Sequence, residues 1–201
     1  MRLIGVTGGV GAGKSAILAY IEKHYKCHIY LADEVAHLVK QKGEECYYRL
    51  VEILGEDVLD EDGEIHKGKM AAMIFADDAL LERVNEIVHP QVRIYLEKRI
   101  SEAEQSGDVE LLFIEAALLI EAGYKEIVDE LWYIYADEEI RRKRLMHSRG
   151  YSMEKISQIM EAQLTEEMFR RESDFVIDNS GDLEESYKQI RKKLEAFTWQ
   201  E

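Results

Sequence analysis

A glycine-rich turn lying between an apolar run and a helix constrains this chain more than any other stretch. It reads "GVTGGVGAGKS", residues 5–15, with Gly8 and Gly13 enclosing four residues ahead of Lys14 and Ser15. The preceding "RLIGVT", residues 2–7, is an apolar run of strand length, and "SAILAYIEKHY", residues 15–25, repeats Ile17, Tyr20, Ile21 and His24 at helical spacing. A loop at such a junction aims successive backbone N–H groups at an anion, and the helix that follows adds the partial positive charge of its N-terminus. The expectation is a phosphate cradle. Gly11, Ala12, Gly13, Lys14, Ser15 and Ala16 would line a nucleotide, with Lys14 reaching the outer phosphates and the Ser15 hydroxyl ligating the magnesium ion that bridges them.

Four more apolar runs read as strands: "CHIYL" at 27–31, "VELLFI" at 109–114, "LWYIY" at 131–135 and "DFVID" at 174–178. Near-continuous apolar strands that alternate with helical stretches indicate an α/β fold with a five-stranded parallel sheet covered on both faces. Over seventy residues separate the second run from the third, far more than a crossover needs, and they read as an inserted helical region. It contains "EECYYRLVEILG" from Glu44 to Gly55, a turn at Asp60–Glu64, and a long helix opening at "HPQV". There Pro90 suits the first helical turn and Gly107 the helix end, while His89 is either part of that opening turn or a site residue.

Ligands of open parallel sheets collect at the carboxyl ends of the strands. That rule singles out Asp33 after the second strand and Glu115 after the third. Asp33 reads equally as the N-cap of a helix beginning at Glu34 and as a general base; Glu115 reads as a strand-end ion pair or a catalytic carboxylate. A net charge of −15 over 201 residues argues against a nonspecific nucleic-acid binder. Any anion must therefore meet a local basic site, and "IRRKRLMHSRG" at 140–150 offers one, or else a solvated helix face. Cys27 and Cys46 have neither metal-ligand nor disulfide spacing, no run is long enough to span a bilayer, and a strand begins within two residues of Met1, leaving no room for a signal peptide. These features point to a cytoplasmic protein without a membrane partner.

Several stretches in order resemble the dephospho-CoA kinase family: "IGVTGGVGAGKS", "ADEVAH", "LGEDVLDEDGEI", "IVHPQV", "ALLIEAGY", "RLMHSRGYS", "AQLTEE" and "DFVIDNSGDLEE". The resemblance implies a three-layer P-loop NTPase fold with a helical acceptor-binding insertion and a helical lid. It places the core at residues 1–33, 108–140 and 172–201, the acceptor-binding region at 34–107 and the lid at 141–171. It further implies ATP with Mg2+ as phosphate donor, dephospho-CoA as acceptor, Asp33 as the base for the acceptor hydroxyl, His89 beside the substrate, and Arg144 facing the ATP phosphates.

The chain also departs from that pattern. Leu31 stands where the family often has Asp, His37 where it often has Arg, Ala117 where Pro is frequent and Ala16 where Thr is frequent. Glu115 sits near the usual Asp, and Ile159 and Phe169 occupy lid positions often basic in the family. Loss of lid cations would weaken closure over ATP, because an arginine on transition-state charge is worth about 10³ or more. Arg149, Arg170 and Arg171 are the candidate replacements. With Lys14, Ser15, Asp33 and Arg144 in place, the expectation is an active, divergent member. The rival expectations are another small-molecule kinase on the same core and a nucleotide-binding relative without transfer activity.

Overall fold

The computed structural model describes residues 1–197. Five strands, β1 (Arg2–Thr7), β2 (Cys27–Leu31), β3 (Leu111–Glu115), β4 (Glu130–Tyr135) and β5 (Phe175–Asp178), form one parallel sheet in the order β2-β3-β1-β4-β5. The α/β expectation holds, and β1 lies at the centre. Its register sets Ile4 opposite Phe113 on one side and Val6 opposite Trp132 on the other. Ile4, Leu112, Phe113, Ile114, Leu131, Trp132 and Ile134 are fully buried, as apolar strands covered on both faces require. Trp132 meets Phe113 and Phe175 edge to face, with centroids 5.7 and 5.2 Å apart, so the core is pinned by aromatic contacts across three strands.

The chain divides into two compact units. The first comprises Met1–Ile29 and the chain from Val109 onward; the second is Tyr30–Asp108. The first unit holds the helices α1 (Lys14–His24), α6 (Glu138–Arg149), α7 (Met153–Glu161) and α8 (Glu166–Glu172), and α9 (Leu183–Glu195) after the last strand. Ser152, Thr165 and Asp182 cap α7, α8 and α9 by accepting backbone N–H bonds, which explains where each of these polar-faced helices starts.

The second unit holds α2 (Ala32–Leu38), α3 (Glu45–Leu54), α4 (Lys67–Ala76) and α5 (Asp78–Ser106). The Asp60–Glu64 turn forms as the sequence suggests, with the Asp60 carboxylate accepting from the N–H groups of Asp62 and Glu64 and an antiparallel bridge between Leu59 and Ile65 closing it. The long helix begins earlier than Pro90. It starts at Asp78, capped by the Asp77 carboxylate on the Leu80 N–H, so Pro90 and His89 lie inside it rather than in its first turn. An internal proline costs a helix about 3 kcal/mol. Here the buried stripe of Val84, Ile87, Val88, Val92 and Leu96 runs straight across the proline, and each fully buried aliphatic side chain contributes about 1.5–3 kcal/mol. Glu86, His89 and Pro90 all face solvent, so the Glu86 carbonyl freed by the proline can bond water.

Candidate active site

The loop Gly8–Gly13 leaves the carboxyl end of the central strand and runs into α1. At Gly8 a Cβ would lie 2.5 Å from the Ile134 carbonyl oxygen, a backbone approach that only glycine permits. Gly13 caps α1 with φ of 93°, and a side chain there would run into the Asn179 amide. Because this cap carries no side chain, the Lys14 and Ser15 N–H groups at the start of α1 are left for an anion.

Four side chains from distant parts of the chain hold the outer edge of the loop. Arg141 Nε donates to the Val10 carbonyl at 2.9 Å, and Arg141 Nη2 donates to Gln163 Oε1 at 2.8 Å. The same Gln163 oxygen accepts from the Val10 N–H at 3.2 Å. Arg144 donates to the carbonyls of Ala12 and Asn179 at 3.2 and 2.8 Å, and the Asn179 amide donates to the Ala12 carbonyl at 2.7 Å. In a planar trans peptide the C=O of one residue and the N–H of the next point in opposite directions. Tying the Val10 and Ala12 carbonyls outward therefore turns the Gly11 and Gly13 N–H groups inward, which is what an anion cradle needs.

Lys14 reaches across this loop. Its Nζ donates to the Gly8 carbonyl at 2.8 Å and pairs at 3.4 Å with Glu115 at the end of β3. The two side chains are only 16% and 15% exposed, so the pair is shielded enough for its attraction to exceed that of a surface ion pair. Ser15 is exposed in the first turn of α1.

The basic run of α6 divides by face. Arg141 and Arg144, three residues apart, meet the loop; Arg142 pairs with Glu138 at 2.7 Å and Arg149 lies against the Tyr151 ring. Arg144 thus sits on loop carbonyls, where its charge lies beside the cradle. Phe169, at a position often basic in the family, is 3% exposed and stacks on Tyr133 at 4.8 Å, so it packs in the core and a cation there would be buried. Ile159 is half-buried on α7. Arg170 and Arg171 pair with Glu166 and Glu172.

Asp33 and His89 belong to the second unit. The cap reading of Asp33 fails, because α2 starts at Ala32, two residues before Glu34, with Leu31 as N-cap; Asp33 is an exposed first-turn carboxylate. His89 is exposed in the middle of α5. The structure brings together Lys14, Glu115, Arg141, Arg144, Gln163 and Asn179 around the loop. Of these, Arg141, Gln163 and Asn179 were not singled out by the sequence, although "AQLTEE" and "VIDNSG" contain two of them.

The family model for dephospho-CoA kinase matches residues 2–185. The chain belongs to the dephospho-CoA kinase family. It is 33% identical to a dephospho-CoA kinase of Carboxydothermus hydrogenoformans over 201 residues, covering all of this chain and 97% of that protein. It is 35% identical to a dephospho-CoA kinase of Aquifex aeolicus, covering 98% of each. A crystal structure from Thermus thermophilus superposes with a TM-score of 0.78 at 28% identity, covering 97% of each chain. The family is one of kinases that transfer phosphate to a hydroxyl group.

Within this family member the Asn179 clamp has a measurable consequence. Asn179 is 1% exposed, and its Oδ1 accepts from Ser186 Oγ at 2.9 Å while its amide holds Ala12. Asn179→Ala removes both bonds inside a buried network, which should cost about 1–3 kcal/mol of stability. Urea denaturation should show that loss, and the loosened Ala12 carbonyl should raise KM for ATP. An unchanged denaturation midpoint would mean that the amide does not hold the loop.

Proposed function

We propose that this chain is a dephospho-CoA kinase, transferring the γ-phosphate of ATP to the ribose 3′-hydroxyl of dephospho-CoA to give coenzyme A. The observation that carries the reading is the family match over residues 2–185, which spans both compact units rather than the phosphate loop alone.

ATP would lie with its β- and γ-phosphates on the N–H groups of the loop and the first turn of α1. Lys14 would leave the Gly8 carbonyl to span those phosphates, and the Arg141 and Arg144 charges would hold the loop rigid beside them. Among the described residues no group of three or more His, Cys, Asp or Glu side chains could hold a metal ion by itself. Mg2+ fits a different donor set: it keeps several waters and takes phosphate oxygens plus one or two protein oxygens, and the exposed Ser15 hydroxyl supplies one. When bound, the ion would offset charge on the transferring group.

Asp33 would accept the proton of the 3′-hydroxyl as that oxygen bonds to the γ-phosphorus and the bond to the β-phosphate oxygen breaks, releasing ADP. Its exposed position in the first turn of α2 supports this, since the carboxylate makes no cap hydrogen bond and is open to an acceptor hydroxyl. The region from Arg144 to Arg171 would close and exclude water, without which ATP hydrolysis competes with transfer. His89, exposed on α5, would contact the acceptor. The two free thiols, Cys27 and Cys46, fit a cytoplasmic location, and no helix among the described residues is long and apolar enough to cross a membrane.

The test is an acceptor panel: the pure protein with ATP, Mg2+ and, separately, dephospho-CoA, shikimate, nucleosides and nucleoside monophosphates, with products identified by mass. Coenzyme A should form, at a rate well above any other product. Turnover confined to a different acceptor, or ATP binding without transfer to any, would overturn the reading.

A further inference from the structure

Val10, in the outer turn of the phosphate loop, has both of its backbone polar groups taken by side chains. Its N–H donates to Gln163 Oε1 at 3.2 Å, and its carbonyl accepts from Arg141 Nε at 2.9 Å. The same Gln163 oxygen accepts from Arg141 Nη2 at 2.8 Å, so one amide oxygen uses both lone pairs and the three residues close a ring of hydrogen bonds. Gly9 makes room for that ring. Neither the spacing of Gly8 and Gly13 nor the backbone asks for glycine at position 9, because Gly9 is not one of the glycines with a positive φ. A Cβ there would lie 2.5 Å from Arg141 Cζ, on the guanidinium that the ring holds in place.

Gln163 stands in the connection between α7 and α8, after Ala162 ends the first helix and before Thr165 caps the second. Both flanking helices are fixed elsewhere. Arg142 Nη1 donates to Ser157 Oγ at 2.9 Å and Ile156 is fully buried, which seats α7 on α6. Phe169 stacks on Tyr133 and the Arg170 guanidinium lies 4.6 Å from the centre of the Tyr135 ring, which seats α8 on β4. Gln163 carries the bond from the connection to the phosphate loop. The Val10 carbonyl, turned outward by Arg141, is the one that aims the Gly11 N–H inward. The loop geometry that accepts phosphate and the placement of the α7–α8 connection therefore share their hydrogen bonds, and a ligand that favours one favours the other by the same factor.

We infer that Gln163 is a positioning residue for phosphoryl transfer: through Val10 it latches the α7–α8 connection to the phosphate loop, with Arg141 as its partner, so that seating ATP on the loop and ordering residues 150–165 beside it are one event. The inference rests on the reading of the chain as a dephospho-CoA kinase that uses ATP, and it adds a residue that touches neither substrate. Its consequence is economy of ATP. With the latch made, the γ-phosphate passes to the acceptor hydroxyl; with the latch loose, water reaches the site and its oxygen takes the γ-phosphorus instead, giving ADP and inorganic phosphate.

The test compares wild type with Gln163→Ala, Gln163→Glu and Gly9→Ala by two readouts. The first is hydrogen exchange over residues 150–165 with and without Mg2+ and a non-hydrolysable ATP analogue, which needs no acceptor. The second is the ratio of ADP to coenzyme A formed. In the wild type the analogue should slow exchange in that segment, and the ratio should be near one. Gln163→Ala, at a half-buried turn position outside the core, should abolish the slowing, raise KM for ATP about tenfold, as the loss of two hydrogen bonds implies, and at least double the ratio. Gly9→Ala, which displaces the Arg141 guanidinium, should abolish the slowing too. Glutamate keeps an oxygen of the same reach with lone pairs for both donors, so Gln163→Glu should retain both the slowing and the ratio. A merely structural glutamine would lower the melting temperature without moving either readout. Slowing that persists in Gln163→Ala, a ratio that stays near one there, or a glutamate variant that behaves like alanine overturns this inference alone. A wild type that makes no coenzyme A but shows slowing dependent on Gln163 overturns the functional reading and leaves the latch standing.

Discussion

Lys14→Met should lower kcat by about 10²- to 10³-fold, the usual loss when one preorganised group facing transition-state charge is removed. Methionine preserves the length of the stem, so what disappears is the ammonium group and its bonds to the Gly8 carbonyl and Glu115. In phosphoryl transfer the protein has little covalent chemistry to do, and most of the acceleration comes from positioning and charge. Lys14 is the cation that crosses the loop, and Arg141 and Arg144 are occupied with loop carbonyls at 2.9 and 3.2 Å, so neither stands ready to replace it. The variant also leaves the Glu115 carboxylate, 15% exposed, without that counter-ion. Anion repulsion at the phosphates should then raise KM for ATP as well. A fall of less than tenfold in kcat would show that the ammonium group does not act on the transferring phosphate.

Asp33→Asn should reduce turnover at least a hundredfold while leaving ATP affinity nearly unchanged, since general-base catalysis typically contributes 10²- to 10⁴-fold. The structure makes this substitution clean. Asp33 makes no cap hydrogen bond, because Leu31 is the N-cap of α2, and its carboxylate is exposed. The stability at stake is only the interaction of a first-turn carboxylate with the helix N-terminus, about 0.3–1 kcal/mol. A large kinetic loss with a nearly unchanged melting temperature would therefore report chemistry and not folding. Turnover within a few-fold of wild type would place the base elsewhere.

The strands and the loop were legible in the sequence because they are written locally. Apolar runs such as "LWYIY" are strand-length and buried from Leu131 to Ile134, and the glycines of "GVTGGVGAGKS" stand where the backbone needs them. Pro90 misled for a physical reason: its local preference is for a first turn, but the apolar stripe from Val84 to Leu96 outweighs it, and the solvent face accommodates the freed carbonyl. Asp33 was ambiguous for a related reason. Asp is a good cap, and only the observed start of α2 at Ala32 removes that role.

The loop's clamps were illegible because they act over distance. Gln163 lies 153 residues from Val10, and Asn179 lies 167 from Ala12, so no periodicity or local motif connects them. Only the fold brings "AQLTEE" and "VIDNSG" to the glycine loop and gives those stretches a physical purpose. Phe169 illustrates the converse. A position read as a missing lid cation is filled by an aromatic ring stacked on Tyr133, so its apolar character has a packing reason that the local sequence does not show.

The central claim is that the phosphate goes to one hydroxyl, and the most direct measurement is where it is found. The protein should be incubated with ATP, Mg2+ and either dephospho-CoA or the analogue lacking its ribose 3′-hydroxyl, and the product examined by mass and by phosphorus NMR. The account predicts a single new phosphomonoester on the 3′-oxygen of dephospho-CoA and no product from the 3′-deoxy analogue. A phosphate on any other oxygen, a product from the analogue, or no transfer to dephospho-CoA would contradict it.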